Sequence, residues 1–269
     1  MSTAETVRDG AVREGSAQDG AAREGFAHDG SVHDGAVAVR EQTPARLAAA
    51  PWHADPYVRA LHAGQGPLFL RRADGWMLPL DVERWCADAD AADRTVLRRC
   101  QSPILDIGCG PGRLVAALAL HGHPCLGIDV NQAAVARTVR AGGPALCRSV
   151  FEPLPGEGRW GTALLIDGNI GIGGDPRALL TRVAQLMAPE GLLIVEAAAA
   201  DVDERVRVRV DDGRGDVGTA FPWARVGSRA LLHHAHAVGW NPVEQWTARD
   251  RGFVSLRRTP PLPRSSAER

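Results

Sequence analysis

The chain has 269 residues, 45% of them hydrophobic, and a formal net charge of −1. That supports one ordinary core with appendages rather than two large domains. No apolar run approaches the ~20 residues of a membrane span, no apolar signal core opens the chain and no basic block marks a nucleic-acid footprint, so a cytoplasmic protein with neither membrane nor nucleic-acid partners is expected.

Residues 8–37 repeat in fives, from RDGAV and REGSA to HDGAV. Period five suits neither helix nor strand, and almost nothing in it can fill a core, so residues 1–45 are expected to be a disordered low-complexity tail. A calcium-binding repeat would need more aspartate and long apolar positions. From Pro51 bulky side chains arrive. LFLRR and WMLPL read as two short extended pieces around the turn signal at 73–75, and Asp81 to Arg99 as one or two helices with Asp81 as N-cap. Residues 46–100 are thus expected to form a small N-terminal helical cap.

From Gln101 strands and helices alternate. PILDIG, PCLGIDV, ALCRSV, TALLID and GLLIVEA are five strands. Between them lie RLVAALALHGH, NQAAVARTVRAGG with Asn131 as N-cap, and DPRALLTRVAQLM with Pro176 at its first position. Such alternation implies an α/β fold, a parallel sheet covered on both faces. Then ERVRVRVD alternates with period two, SRALLHHAHAVG is a helix, and VEQWTARDRGFVSLRR reads as one final strand. The sheet is therefore expected to end in antiparallel strands near residue 260, leaving 261–269 as a second tail. Cys86, Cys100, Cys109, Cys125 and Cys147 form no CxxC pair, which argues for reduced thiols and no structural metal.

The first strand runs into Asp106-Ile107-Gly108-Cys109-Gly110-Pro111-Gly112-Arg113. Alternate glycines let the chain turn sharply and bring its backbone against a ligand at a helix N-terminus. A dinucleotide fingerprint would be GxGxxG, and here the third glycine comes one residue early. A phosphate loop of the Walker type would need lysine, and the chain has none. The second strand ends in Asp129, a carboxylate able to accept two hydrogen bonds from a ribose diol. A ribosyl ligand follows, with no demand for a pyrophosphate.

These residues resemble the class I S-adenosylmethionine-dependent methyltransferases. The resemblance rests on LDIGCGPG at 105–112, GIDVN at 127–131, ALLIDGN at 163–169 and APEGLLIVE at 188–196, and covers about residues 101–258. It implies a Rossmann-like sandwich with a mostly parallel seven-stranded sheet, its final strand antiparallel, and S-adenosylmethionine as cofactor. It also implies that the Gly108–Gly112 backbone, Cys109 and Gly110 included, holds the methionine portion and ribose. Asp106 would orient the amino-acid end, and Asp129 with Val130 would grip the ribose. Two positions depart from the pattern. Ser149 stands where many members carry an aspartate near the adenine, with Val150 and Phe151 able to flank the ring, and Gly161 stands where an aspartate often precedes the fourth strand.

The loop IDGNIGIGGDP, residues 166–176, leaves the carboxyl end of the fourth strand, where such sheets bind ligands. Asp167, Gly168 and Asn169 are the groups expected beside donor and acceptor; Asp175 is read as a helix cap. Methyl transfer needs mainly alignment, with a base for some acceptors. No residue declares itself as that base, and Asp167, Asn169, His53 and Tyr57 are the candidates. His233, His234 and His236 are read as packing or surface residues, since 233 and 236 share a helix face that 234 does not. Phe221-Pro222-Trp223 is a candidate wall for the acceptor. The expected activity is methyl transfer to a small molecule on O, N or C. A different chemistry on the same cofactor, or a scaffold that merely binds it, are the alternatives.

Overall fold

The computed structural model describes residue 52, residues 55–215 and residues 217–258. The pentad repeats, His53 and the C-terminal tail lie outside the described residues.

The chain opens with α1 (Asp55–Ala63), β1 (Phe69–Arg72), β2 (Met77–Pro79), α2 (Val82–Cys86) and α3 (Ala91–Leu97). The central units follow as β3 (Ile104–Ile107), α4 (Arg113–Leu120), β4 (Cys125–Asp129), α5 (Gln132–Arg140), β5 (Ala145–Cys147) and β6 (Trp160–Leu165). A short 3₁₀ turn (Asn169–Gly171) leads to α6 (Pro176–Leu186), β7 (Met187–Ala197), β8 (Asp203–Asp211), β9 (Phe221–Val226), α7 (Ser228–Ala237), β10 (Trp240–Ala248) and β11 (Arg251–Arg258).

Seven strands form one sheet in the order β10-β11-β7-β6-β3-β4-β5, with β5, β4, β3, β6 and β7 parallel and β11 antiparallel to β7. Side chains alternate across it, as strand geometry requires. Leu105 and Ile107 of β3, with Leu193 and Val195 of β7, enter the core under α6 and α7. Ile104, Leu192 and Ile194 enter the opposite core, under α3 and α4. The helix caps read from the sequence are present. Asn131 accepts from the Ala134 amide, Asp175 from the amides of Arg177 and Ala178, and Asp81 from that of Arg84.

Three expectations are corrected. ERVRVRVD does not extend the main sheet. It is β8, paired with β1 and β9 in a separate four-stranded antiparallel sheet of order β2-β1-β8-β9. Its period-two pattern buries Val208 and Val210 and leaves Arg205, Arg207 and Arg209 exposed, which suits a sheet wet on one face rather than a doubly covered one. Within the described part of the expected cap at 46–100 the segment is therefore not purely helical, because β1 pairs with β8 and β2 pairs with β1 in that sheet. Finally, VEQWTARDRGFVSLRR is a hairpin, β10 and β11, reversed at Arg249-Asp250 with φ of 48° and 62°.

Candidate functional site

The carboxyl ends of β3, β4 and β6 converge on one crevice. After β3 the chain passes through Gly108, Gly110 and Gly112 at positive φ before α4 begins. Gly112, at φ 90°, is the N-cap of α4, and a Cβ there would stand 2.4 Å from Thr138. Only glycine fits that approach, which brings α4 against α5. The loop is tied to β4 through Asp129, whose Oδ2 accepts from the Gly110 amide at 2.9 Å and whose Oδ1 accepts from the Asn131 amide at 2.8 Å. Burial raises the Asp129 pKa against the pull of these amides. The carboxylate keeps lone-pair capacity for a further donor. Burial likewise pushes the Cys109 thiol well up, so it stays neutral.

Across the crevice, the loop after β6 is held in an unusual conformation. Asp167 has φ 60°, a region that costs a non-glycine residue of order 1–3 kcal/mol. Its amide donates to Glu196 Oε2 at 2.8 Å. Its carboxylate accepts from Arg84 at 2.6 Å and from Arg113 at 2.6 and 3.2 Å, with Arg251 at 3.5 Å. Arg113 also donates to Asp93 at 2.8 and 3.0 Å, and Arg251 bridges Asp93 and Glu196. Three guanidiniums and three carboxylates from six separate segments thus neutralise one another beneath the loop. Burial opposes charge on Asp167, but Arg113 and Arg84 outweigh it and its pKa is lowered. Asp167 is therefore a fixed negative charge and a weak base.

Asn169 acts as a clamp. Its Nδ2 donates to the carbonyls of Ile107 and Gly108, both at 2.9 Å, joining the two loops. Gly171 also has a steric reason, since a Cβ there would stand 2.3 Å from the Ala224 carbonyl. The glycine-rich loop is thus open so that β9 can lie against it.

Together these elements enclose a cavity of about 660 Å³, within the ordinary range of ligand sites of about 300–1,000 Å³. Gly108, Cys109, Gly110, Asp129, Val130, Ser149, Val150, Phe151, Asp167, Gly168 and Asn169 line it. The four-stranded sheet and the cap close its far side with Leu70, Leu78, Trp85, Phe221 and Trp223. Trp52 packs on Tyr57, Phe221 and Trp223 with ring centroids 5.1, 5.2 and 5.7 Å away. Tyr57 lines the cavity too, and burial with the charge of Asp129 holds its phenol protonated.

Asp106 and Gly112 stand outside the wall. Asp106 shares the β3 face of Ile104, pointing away from the face of Leu105 and Ile107, and lies buried beneath the charge cluster. Burial raises its pKa to about 7 despite Arg113 nearby. Gly112 acts through packing. His234 is a packing residue: it accepts from Arg177 Nε at 3.1 Å and meets Asp203 at 2.8 Å. No cluster of metal-ligating side chains occurs among the described residues. Asp93, Arg84, Arg251 and Glu196 were invisible as site residues, because they come from scattered segments with no motif.

Residues 83–245 match the family described as methyltransferase domain. The fold is similar to a methyltransferase from Bacteroides fragilis solved with S-adenosyl-L-homocysteine, with a TM-score of 0.65 and 19% identity over 78% of this chain and 97% of that one. It is similar also to the PH0226 protein of Pyrococcus horikoshii, with a TM-score of 0.50 and 10% identity over 62% and 88% of the two chains. A comparison with curated proteins found no match.

Proposed function

The chain belongs to the methyltransferase domain family, and on that premise we propose that it transfers a methyl group from S-adenosylmethionine to a small-molecule acceptor. The observation that carries this reading is a single cavity with two unlike ends. One end has the Asp129 carboxylate, the glycine loop and the apolar flank of Val130, Val150 and Phe151. Those groups fit an adenosyl unit: a vicinal diol for the carboxylate, a flat base between apolar side chains, and no phosphate to cradle. The other end is aromatic and aliphatic, built by the cap and the four-stranded sheet.

The donor supplies an activated methyl on a sulfonium, so the chain's work is alignment and exclusion of water. Asp167 and the Asn169 clamp fix the junction of the two ends. Asp167 lines the cavity at that junction, its carboxylate already met by Arg84 and Arg113. The aromatic roof keeps water off the transfer path. Ser149 and Gly168 complete the cofactor side, and no base is assigned. No helix among the described residues is long and apolar enough to cross a membrane. The test is turnover: the protein with S-adenosylmethionine and a pooled library of small apolar metabolites should yield S-adenosylhomocysteine and products heavier by one methylene. Donor binding without any methylated product from small molecules would defeat the small-molecule reading.

A further inference from the structure

Tyr57 brings a hydroxyl into the cavity from the cap. It stands on α1, is 5% exposed and lines the cavity wall. Trp52 packs edge-on against its ring at 5.1 Å, and the ring belongs to the apolar cluster that holds Leu61, Leu70 and Phe221. Packing therefore fixes the ring and aims the hydroxyl. That hydroxyl takes no hydrogen bond among the described residues, yet it is not sealed off as the unpartnered Trp85 Nε1 is, so it opens on the cavity. It stands over the glycine loop, 3.8 Å from where a Cβ of Gly110 would lie. A buried tyrosine hydroxyl ordinarily finds a partner.

The partner is not supplied by the chain. Burial and the charge of Asp129 keep the phenol protonated, so it offers a proton. Asp129 takes its donors from the amides of Gly110 and Asn131, and Asp167 takes its own from Arg84 and Arg113. On the function proposed above, the methyl donor brings two sets of oxygens, a ribose diol and an α-carboxylate. The diol can donate and suits Asp129. The carboxylate only accepts, and needs donors. Among the cations lining the cavity, Arg113 is given to Asp93 and Asp167, and Arg225 pairs with Glu204 at 2.8 Å. Arg148 donates to the Pro153 carbonyl at 2.9 Å and has no carboxylate partner, but it follows β5 beside Ser149, on the side expected to hold the base.

We infer that Tyr57 donates its hydroxyl proton in a hydrogen bond to the α-carboxylate of the bound methyl donor, and so selects ligands that carry one. Because Tyr57 comes from the cap and Gly110 from the sheet, this bond also ties the cap to the bound donor.

The test is calorimetry on the full chain with two probes, S-adenosylmethionine and its decarboxylated form. The second keeps the sulfonium, ribose and amine and lacks the carboxylate alone. The variants are Tyr57→Phe, which retains the ring, and Arg148→Met. The wild type should bind S-adenosylmethionine more tightly than the decarboxylated probe. Tyr57→Phe should weaken S-adenosylmethionine about 10- to 150-fold, the worth of a hydrogen bond to a charged group, and the decarboxylated probe less than about twofold. Arg148→Met should leave the preference for the carboxylate intact. A change in packing would weaken both probes alike, so equal weakening by Tyr57→Phe overturns the inference. Unchanged affinity of Tyr57→Phe for S-adenosylmethionine also overturns it, as does a preference that disappears in Arg148→Met. A wild-type protein that binds neither probe removes the proposed function itself, and this inference with it.

Discussion

Asp93 carries the sharpest prediction about how the site is held together. It is fully buried, accepts from Arg113 at 2.8 and 3.0 Å and from Arg251 at 2.9 Å, and closes the capping box of α3 with Asp90. Asp93→Asn keeps the volume but replaces an oxygen by a donor that faces guanidinium N–H groups. Two arginines then keep their positive charges with one carboxylate fewer between them. Breaking a buried pair by removing one partner costs about 3–5 kcal/mol. At roughly 2–4 °C per kcal/mol for a domain of this size, the melting temperature should fall by roughly 6–20 °C. The burial of Asp93 opposes its ionisation, yet Arg113 and Arg251 win and hold its pKa well below the usual carboxylate value. Its stabilisation is therefore present above the unfolded pKa near 4 and lost as pH falls through the lower folded value. Calorimetry at pH 7 measures the first quantity. Urea titrations of both proteins from pH 7 downward measure the second, and the two stabilities should converge only in strong acid. Arg205→Met, which removes an exposed pair with Asp175, is the control and should cost less than about 1 kcal/mol. A loss for Asp93→Asn no larger than that of the control would refute the reasoning that the cluster is a buried, interlocked unit.

Other outcomes follow from the same structure. Asn169→Ala should raise the KM for S-adenosylmethionine more than it lowers the melting temperature. Asn169→Asp should be worse still, because its carboxylate would face the Ile107 and Gly108 carbonyls; steady-state kinetics with scanning calorimetry check both. Gly112→Ala should destabilise strongly, since its Cβ would meet Thr138 at 2.4 Å and its φ is 90°; urea unfolding measures it. Asp106 takes up a proton on folding, because burial raises its pKa to about 7. Its contribution is thus fully present below about pH 4 and declines as pH rises to about 7. Asp106→Asn should therefore match the wild type near pH 4 and exceed it in stability at pH 8, as pH-dependent urea midpoints would show.

Local signals made the central sheet legible. LDIGCGPG, the acidic end of β4, Asn131, Asp175 and Pro176 each announce a turn, a cap or a strand within a few residues, and each stands where the sequence places it. The four-stranded sheet was not legible, because β1 and β8 meet across more than a hundred residues and nothing in LFLRR names its partner. The hairpin of β10 and β11 was missed because its turn, Arg-Asp, lacks the glycine or asparagine that usually supplies positive φ. Asp167 lines the cavity, but its three arginines were not foreseen. Arg84 and Arg251 look like ordinary surface charges until the fold brings them together. Asp93 sits in DADAADRT, where three neighbouring aspartates look equally exposed and only helix phase buries one.

The central claim is that the Asp129 end of the cavity holds S-adenosylmethionine. Isothermal calorimetry with S-adenosylmethionine and S-adenosylhomocysteine, on the full chain and on Asp129→Ala, tests it directly. The account predicts micromolar binding of both, weakened at least about tenfold by the substitution, the worth of one lost hydrogen bond to a charged group. No binding of either ligand, or binding that Asp129→Ala leaves unchanged, would contradict it.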